Sequence, residues 1–498
     1  MSSTSPVAPD TLRALIASRA ERSGDAAYLL AARTNRIVTY RRLAEAAEHW
    51  ARVAAPWGPS PRVGLLVGDP LDFTEAFVGL IGAGVWVAPL DPTVTQLSAD
   101  AVARWAGTLQ LSHLVADREA PGATSLTWHR VEDRAPAPAP APTREAEVVS
   151  AGGGVLLASS GTTGAPKVMA LSQSQLLVAA GLIARHNRLD ERERGFNPLP
   201  LWHINAEVVG LLATLVAGAS LVLDERFHRT RFWDVIGEHR VTWINAVPAI
   251  ISRLAEVAED ERVPAGVRFI RSASAPLSAA LLARFEAATG IRVVESYGMT
   301  EAASQICVNP LSGPRRPGSV GRGVGVEVRV VDDGVRGPGE VGQIEIRGAS
   351  VITRYESPAY AKRFSEGGWL ATGDLGYLDS EGFVYLVGRT DDVINRGGEK
   401  IFPREIEEVA LEVPGVVGAA VVGASDDVFG QVPVLYVELA DDVDETIGRL
   451  RETLGEELTR VRRPVEIRVV EALPRHATGK IQKRGLASAT LIQVESLR

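Results

Sequence analysis

Apolar residues gather in short runs at 62–67, 155–158 and 291–294, each flanked by glycine, proline or polar positions. Runs of that length predict strands buried on both faces. The stretch 278–288 instead repeats its apolar positions at helical spacing behind a serine cap, and alternation of the two patterns predicts layered α/β architecture. The longest apolar stretch, 208–223, carries Gly210, Gly218 and Ser220 and falls short of the ~20 residues a membrane helix needs, so it predicts a buried helix followed by a buried strand. A short strand is predicted at 168–171, after which Ser172 and Gln175 form a capping box that starts a helix. Beyond residue 388 the rhythm changes. A helix at 403–411, strands at 416–422 and 433–439, a charged helix at 444–460 and a strand at 465–470 predict a small α+β unit.

Composition narrows the picture. The chain has 498 residues, 46% of them hydrophobic, which suffices for two or three domains with a sizeable core. A net charge of −8 without a long basic run argues against nucleic acid or an anionic membrane as partner. Cys307 is the one cysteine, so no intrachain disulfide can form and a reducing, cytoplasmic setting is expected. It is read as an inert, buried small residue. The first ten residues have neither a basic nor an apolar signal region, and no signal peptide is expected.

Between the strands at 155–158 and 168–171 lie Ser160, Gly161, Thr162, Thr163, Gly164, Ala165, Pro166 and Lys167. Glycine freedom, hydroxyls and one lysine make a loop whose amides and side chains can converge on phosphate oxygens. It is not the common P-loop, because Pro166 precedes the lysine and Val168 follows it. Two further segments stand out: Ser296, Tyr297, Gly298, Met299, Thr300 and Glu301 after a buried strand, and Thr372, Gly373 and Asp374 before an alternating stretch ending at Arg389. The Gly337–Gly342 segment satisfies a dinucleotide fingerprint, but the alternating residues after it predict a strand where a helix is required.

These motifs, in this order between about residues 155 and 484, resemble the adenylate-forming superfamily of acyl-CoA synthetases, adenylation domains and luciferases. The resemblance implies a large multi-layer N-terminal domain over 1–388 and a small mobile α+β lid over 389–498, turning about Asp391. It also implies that the Ala-Pro alternation at 135–142 is a surface loop and not a linker. ATP, Mg²⁺ and coenzyme A, or a carrier protein's phosphopantetheine in place of coenzyme A, are the implied cofactors. The loop from Ser160 to Lys167 is expected to hold the β- and γ-phosphates, Thr300 to touch the α-phosphate, and Glu301 to bind Mg²⁺ as a hard oxygen ligand. Tyr297 is expected against adenine, with Ala273, Ser274, Ala275 and Pro276 on the ring's other side and Asp374 with Arg389 at the ribose. Lys480, in a loop near the end of the chain, matches the lysine of the adenylating half-reaction. Gly397, Gly398 and Glu399 match the turn that lines the thiol channel in the lid's second pose.

His203, with Trp202 and Asn205, matches the segment that shapes the acyl pocket; Val247 and Trp243 are expected nearby. No aspartate stands there to pair an amino-acid ammonium, so a hydrophobic carboxylic acid is expected. The leading expectation is an AMP-forming carboxylate–CoA ligase, and the alternative a stand-alone enzyme charging a carrier protein. The chain departs from the pattern at Val168, where glycine is usual, at Thr353, Arg354 and Tyr355, where Gly-Tyr is common, and at Gly323, where proline is common. The last two departures are expected to leave the chemistry untouched.

Overall fold

The computed structural model describes residues 11–92, 99–118, 126–131, 152–159, 167–258, 260–440, 443–475 and 480–497. Four β-sheets organise them. The largest has nine strands, and its centre is parallel: Arg292–Tyr297, Phe269–Ser272, Trp243–Ala246, Arg194–Asn197, Ser220–Leu223 and Ala27–Ala31 lie side by side. Each of these strands is buried along most of its length, as continuous apolar runs require. A six-stranded sheet containing Arg62–Leu66, Trp86–Pro89 and His113–Ala116 is parallel up to Gly154–Ser159, which pairs antiparallel with Lys167–Ser172. Ser159 lies opposite Lys167 in that ladder, so the Ser/Thr/Gly segment joins one strand to the next, as expected. Residues 160–166 and the Ala-Pro stretch at 135–142 fall outside the described residues.

Helix Gln173–His186 starts at the capping box, with Ser172 Oγ accepting from the Gln175 amide. The apolar stretch after His203 opens as a π-helix, Ala206–Leu212, and continues as a helix to Ala217 before strand Ser220–Leu223. Strand Arg292–Tyr297 outruns its apolar residues because Ser296 and Tyr297 gain a second, antiparallel partner in Cys307–Val308. Cys307 is fully buried there and its thiol pKa is driven up by burial, matching the inert reading.

The third sheet is antiparallel and includes Gly342–Gly348, Trp369–Leu378 and Val384–Arg389. The false dinucleotide fingerprint is thus a turn before a strand. Arg389 ends its strand, a short turn covers Thr390–Asp392, and Ile394–Arg396 enters the fourth sheet. That sheet has apolar cores on both faces, one of them built with helices Pro403–Glu412 and Val443–Glu457. Its long hairpin, Val416–Asp426 with Gly430–Leu439, extends past the apolar residues that predicted it. Among the described residues no helix is long and apolar enough to cross a membrane.

Candidate active site

Parallel strands leave their last residues at one edge, where loops can present ligand-binding groups. Ser272 and Tyr297 end two neighbouring strands at that edge. Ser296 Oγ donates to the Ser272 carbonyl at 3.1 Å and ties the two ends together. Past Tyr297, Gly298 passes so close to the following turn that a Cβ would lie 1.4 Å from the Ser304 carbonyl oxygen. The chain therefore doubles back, and Thr300–Ala302 forms a short helical turn that buries Glu301.

Tyr297 donates its hydroxyl to Asp374 Oδ2 at 2.5 Å, and Arg389 Nη1 donates to Asp374 Oδ1 at 2.8 Å. Asp374 and Arg389 are opposite each other in adjacent strands. A bulge aims the carboxylate: Gly373 has φ +81°, Thr372 Oγ1 donates to the Ile344 carbonyl, and the Asp374 amide donates back to Thr372 Oγ1. Burial raises the Tyr297 phenol pKa and the Asp374 charge adds to it, so the tyrosine stays a donor.

Glu301 is held by a group the sequence reading set aside. Tyr355 donates its hydroxyl to Glu301 Oε1 at 2.8 Å, which corrects the expectation that the Thr353–Tyr355 departure leaves the chemistry alone. Lys167 lies over the Tyr360 ring, its Nζ 5.3 Å from the centroid. Its pKa is lowered by burial first, then by Arg363 and Arg389, while Glu301 and Asp391 oppose the shift. Arg363 was not singled out from sequence. It donates to the Ala371 carbonyl from Nε and Nη2, and its Nη2 would lie 3.0 Å from a Cβ at Gly373, with Arg389 Nη2 at 3.1 Å. Lys167, Arg363 and Arg389 thus form a cationic rim beside two carboxylates. The signal in the sequence was only the basic pair Lys362-Arg363 shortly before Trp369.

Lys480 joins this group from the C-terminal unit, beside the isolated bridge at Ile481. It is exposed overall, yet its ammonium loses enough water to surrounding protein for its pKa to fall; Arg389 lowers it further, and Asp374 and Asp392 pull the other way. Arg475 bridges Ile481 across the base of its loop. The Gly397–Gly398 turn is elsewhere. Its Gly398 amide donates to Asn395 Oδ1, and a Cβ at Gly398 would meet nothing within 4 Å.

Behind the Ala273–Pro276 loop runs a buried amide chain. Asn245 Nδ2 donates to Asn197 Oδ1 at 2.9 Å and to Asn205 Oδ1 at 3.1 Å, and Asn205 Nδ2 donates to Ser274 Oγ at 3.2 Å. Ser274 has φ +73°, and the amide chain links this unfavourable backbone to the His203 segment. Trp202 and His203 have ring centroids 6.1 Å apart, and Val247 follows strand Trp243–Ala246 as the N-cap of helix Pro248–Leu254. Trp243 is a correction. It is fully buried, stacked on Phe269 with its ring over Gly195, and belongs to the sheet core.

A doubly layered α/β body whose strand ends carry cations and carboxylates, faced by a lysine from a smaller α+β unit, is the architecture of an enzyme that handles anionic substrates between two domains. The comparisons say which kind. The family model described as AMP-binding enzyme matches residues 16–356, and that described as AMP-binding enzyme C-terminal domain matches residues 405–480. The chain is 37% identical to sulfoacetate–CoA ligase from Cupriavidus necator over 96% of this chain and 98% of that one. It is 37% identical to oxalate–CoA ligase from Arabidopsis thaliana over 67% of each. The structure of O-succinylbenzoate coenzyme A synthetase from Bacillus subtilis in complex with ATP and magnesium ion superposes with a TM-score of 0.82, at 28% identity, covering 95% of this chain and 99% of that one. The chain belongs to the AMP-binding enzyme family of the adenylate-forming superfamily, and is an AMP-forming acid–thiol ligase.

Proposed function

We propose that this enzyme joins a carboxylic acid to the thiol of coenzyme A through an acyl-adenylate, releasing pyrophosphate. One observation carries the reading: Lys167, Arg363 and Arg389 gather beside Glu301 and Asp374, with Lys480 brought to the same place from the other domain. Attack of a carboxylate on the α-phosphate of ATP brings two anions together, and oriented cations offset the repulsion where charge develops. Lys480 stands between the acid and the α-phosphate in this scheme, and Asp374 accepts from the ribose while Tyr297 and the Ala273–Pro276 loop flank adenine. The loop ending at Lys167 holds the outer phosphates, and Thr300 meets the α-phosphate. Glu301, oriented by Tyr355, offers Mg²⁺ a hard carboxylate oxygen; the ion supplies charge neutralisation on the phosphates.

The small domain turns about Asp391 after adenylation, withdrawing Lys480 and bringing the Gly397–Glu399 turn to the thiol channel. The boundary near 388 and the two poses are part of this proposal. Coenzyme A is preferred to a carrier protein because the relatives named above are CoA ligases.

Trp202 and Val247 support a hydrophobic acid. A second reading has its own observation: the Asn245–Asn205–Ser274 chain beside His203 suits a short acid bearing another polar or acidic group, and the relatives' names specify sulfoacetate and oxalate. Pyrophosphate release measured over a panel of aliphatic, aromatic and dianionic acids, with and without coenzyme A, tests both. Appearance of ADP and phosphate as nucleotide products would overturn the mechanism.

A further inference from the structure

Arg271 stands one residue from the end of strand Phe269–Ser272 and is 1% exposed, so its guanidinium is cut off from water. Among the described residues its Nε and Nη1 have no hydrogen-bond partner. In the register of the sheet it lies between Asn245 and Val294, and cross-strand neighbours project from the same face. Asn245 donates to Asn197 and to Asn205, and a Cβ at Gly210 of the π-helix would lie 3.3 Å from the Asn197 side chain. Arg271, Asn245 and Asn197 therefore form a polar row on the face that residues 205–212 cover. The amide donors of the row are engaged: Asn197 Nδ2 on the Leu199 carbonyl, Asn245 Nδ2 on two asparagine oxygens, and Asn205 Nδ2 on Ser274 Oγ. The Nε and Nη1 donors of Arg271 are not, and Asn245 Oδ1, unpaired in the same row, does not reach them.

We propose that Arg271 is a specificity-determining residue of the acyl site, its guanidinium pairing the second anionic group, a carboxylate or a sulfonate, of a short acid whose first carboxylate is adenylated. The inference rests on the reading above in which a short acid with a further charge binds beside the Asn245–Asn205–Ser274 chain. A guanidinium does not discharge at neutral pH, so the cost of holding it dry is offset only by a partner. The fold leaves two of its nitrogens unpaired, and an incoming anion supplies the missing acceptor. The planar, multi-donor head suits the oxygens of a carboxylate or sulfonate better than a point charge does. Its place on the strand, three residues before Ser274, sets the second charge inward from the loop and within reach of a short acid. An acid with an uncharged tail leaves the buried cation unpaired, and that penalty is the source of discrimination.

The electrostatics agree with that arrangement. Burial lowers the Arg271 pKa to about 10, and no neighbouring carboxylate opposes the fall. At that value the side chain is still a cation at neutral pH, ready for an anion that the described residues do not provide.

The test uses the full chain and matched acids that differ in the second charge but little in size: malonate against malonamate, and sulfoacetate against methylsulfonylacetate, with free Mg²⁺ held constant. Pyrophosphate release gives kcat/KM for wild type, Arg271→Met and Arg271→Lys. Wild type is expected to favour the charged member of at least one pair by about tenfold or more, the scale of one charged hydrogen bond. Arg271→Met should lose that preference, mainly through KM, with the neutral member used as before, and Arg271→Lys should keep part of it. Without substrate, Arg271→Met should melt at or above the wild-type temperature, because a buried unpaired charge is gone. Equal use of charged and neutral acids by wild type, a preference retained in Arg271→Met, or melting of that variant well below wild type, which would make the guanidinium a structural partner, overturns the proposal. If neither pair is turned over, calorimetric titration with malonate and sulfoacetate separates this inference from the ligase reading. Binding to wild type that is lost in Arg271→Met supports the site even where the ligase reading fails, and absent binding or equal binding to both overturns it.

Discussion

Glu207 offers a prediction whose size follows from its surroundings. It sits in the π-helix Ala206–Leu212, is fully buried, and neither carboxyl oxygen has a hydrogen-bond partner. Burial drives its pKa well above the ordinary carboxylate value, and no charged neighbour opposes the shift. The folded protein therefore keeps a proton that the unfolded chain releases above about pH 4.5. Stability from this group is fully present below that pH and declines as pH rises toward the raised folded value, by about 1.4 kcal/mol per pH unit. Glu207→Gln and Glu207→Met both remove the titration. Their stability relative to wild type should climb by that slope over the same window. They differ in the pH-independent part, since Met also removes a buried unpaired polar group worth about 1–3 kcal/mol, less any repacking cost. The assay is urea unfolding at half-unit steps from pH 4.5 upward, read by intrinsic fluorescence. If both variants keep the wild-type pH dependence, a compensating charge or donor reaches Glu207 and the reasoning fails.

Other expectations follow from the site. Lys480→Ala should slow adenylation by about 10²-fold or more, the scale for one preorganised charge-stabilising group, and spare thioester formation from a supplied acyl-adenylate. Gly398→Leu should do the reverse, and equal loss of both half-reactions in both folded variants, read by single-turnover assays, refutes the two poses. Tyr355→Phe removes the hydroxyl that orients Glu301, so the Mg²⁺ concentration for half-maximal pyrophosphate release should rise severalfold while ATP-analogue binding without metal stays unchanged; a flat Mg²⁺ titration counts against the role of Glu301. Gly298→Ala places a Cβ against the Ser304 carbonyl and should abolish nucleotide binding, measured by calorimetry, with little change in the helix content seen by circular dichroism.

Local chemistry made much of this chain legible in advance. The capping box at Ser172, the buried parallel strands, the false fingerprint before Gly342 and the order of the motifs depend on neighbours in sequence, and such features can be read from spacing and side-chain type. What could not be read were the partners. Tyr355 reaches Glu301 across 54 residues, and Arg363 gains meaning only because a bulge at Gly373 turns its strand toward Arg389. Trp243, an aromatic expected near the acyl pocket, went to the core because strand alternation placed it over Gly195 and against Phe269. Sequence determined which strands, turns and motif residues exist, because those follow from periodicity and backbone preference; tertiary structure decided which side chains meet, because long-range packing and desolvation act on contacts that no local pattern encodes.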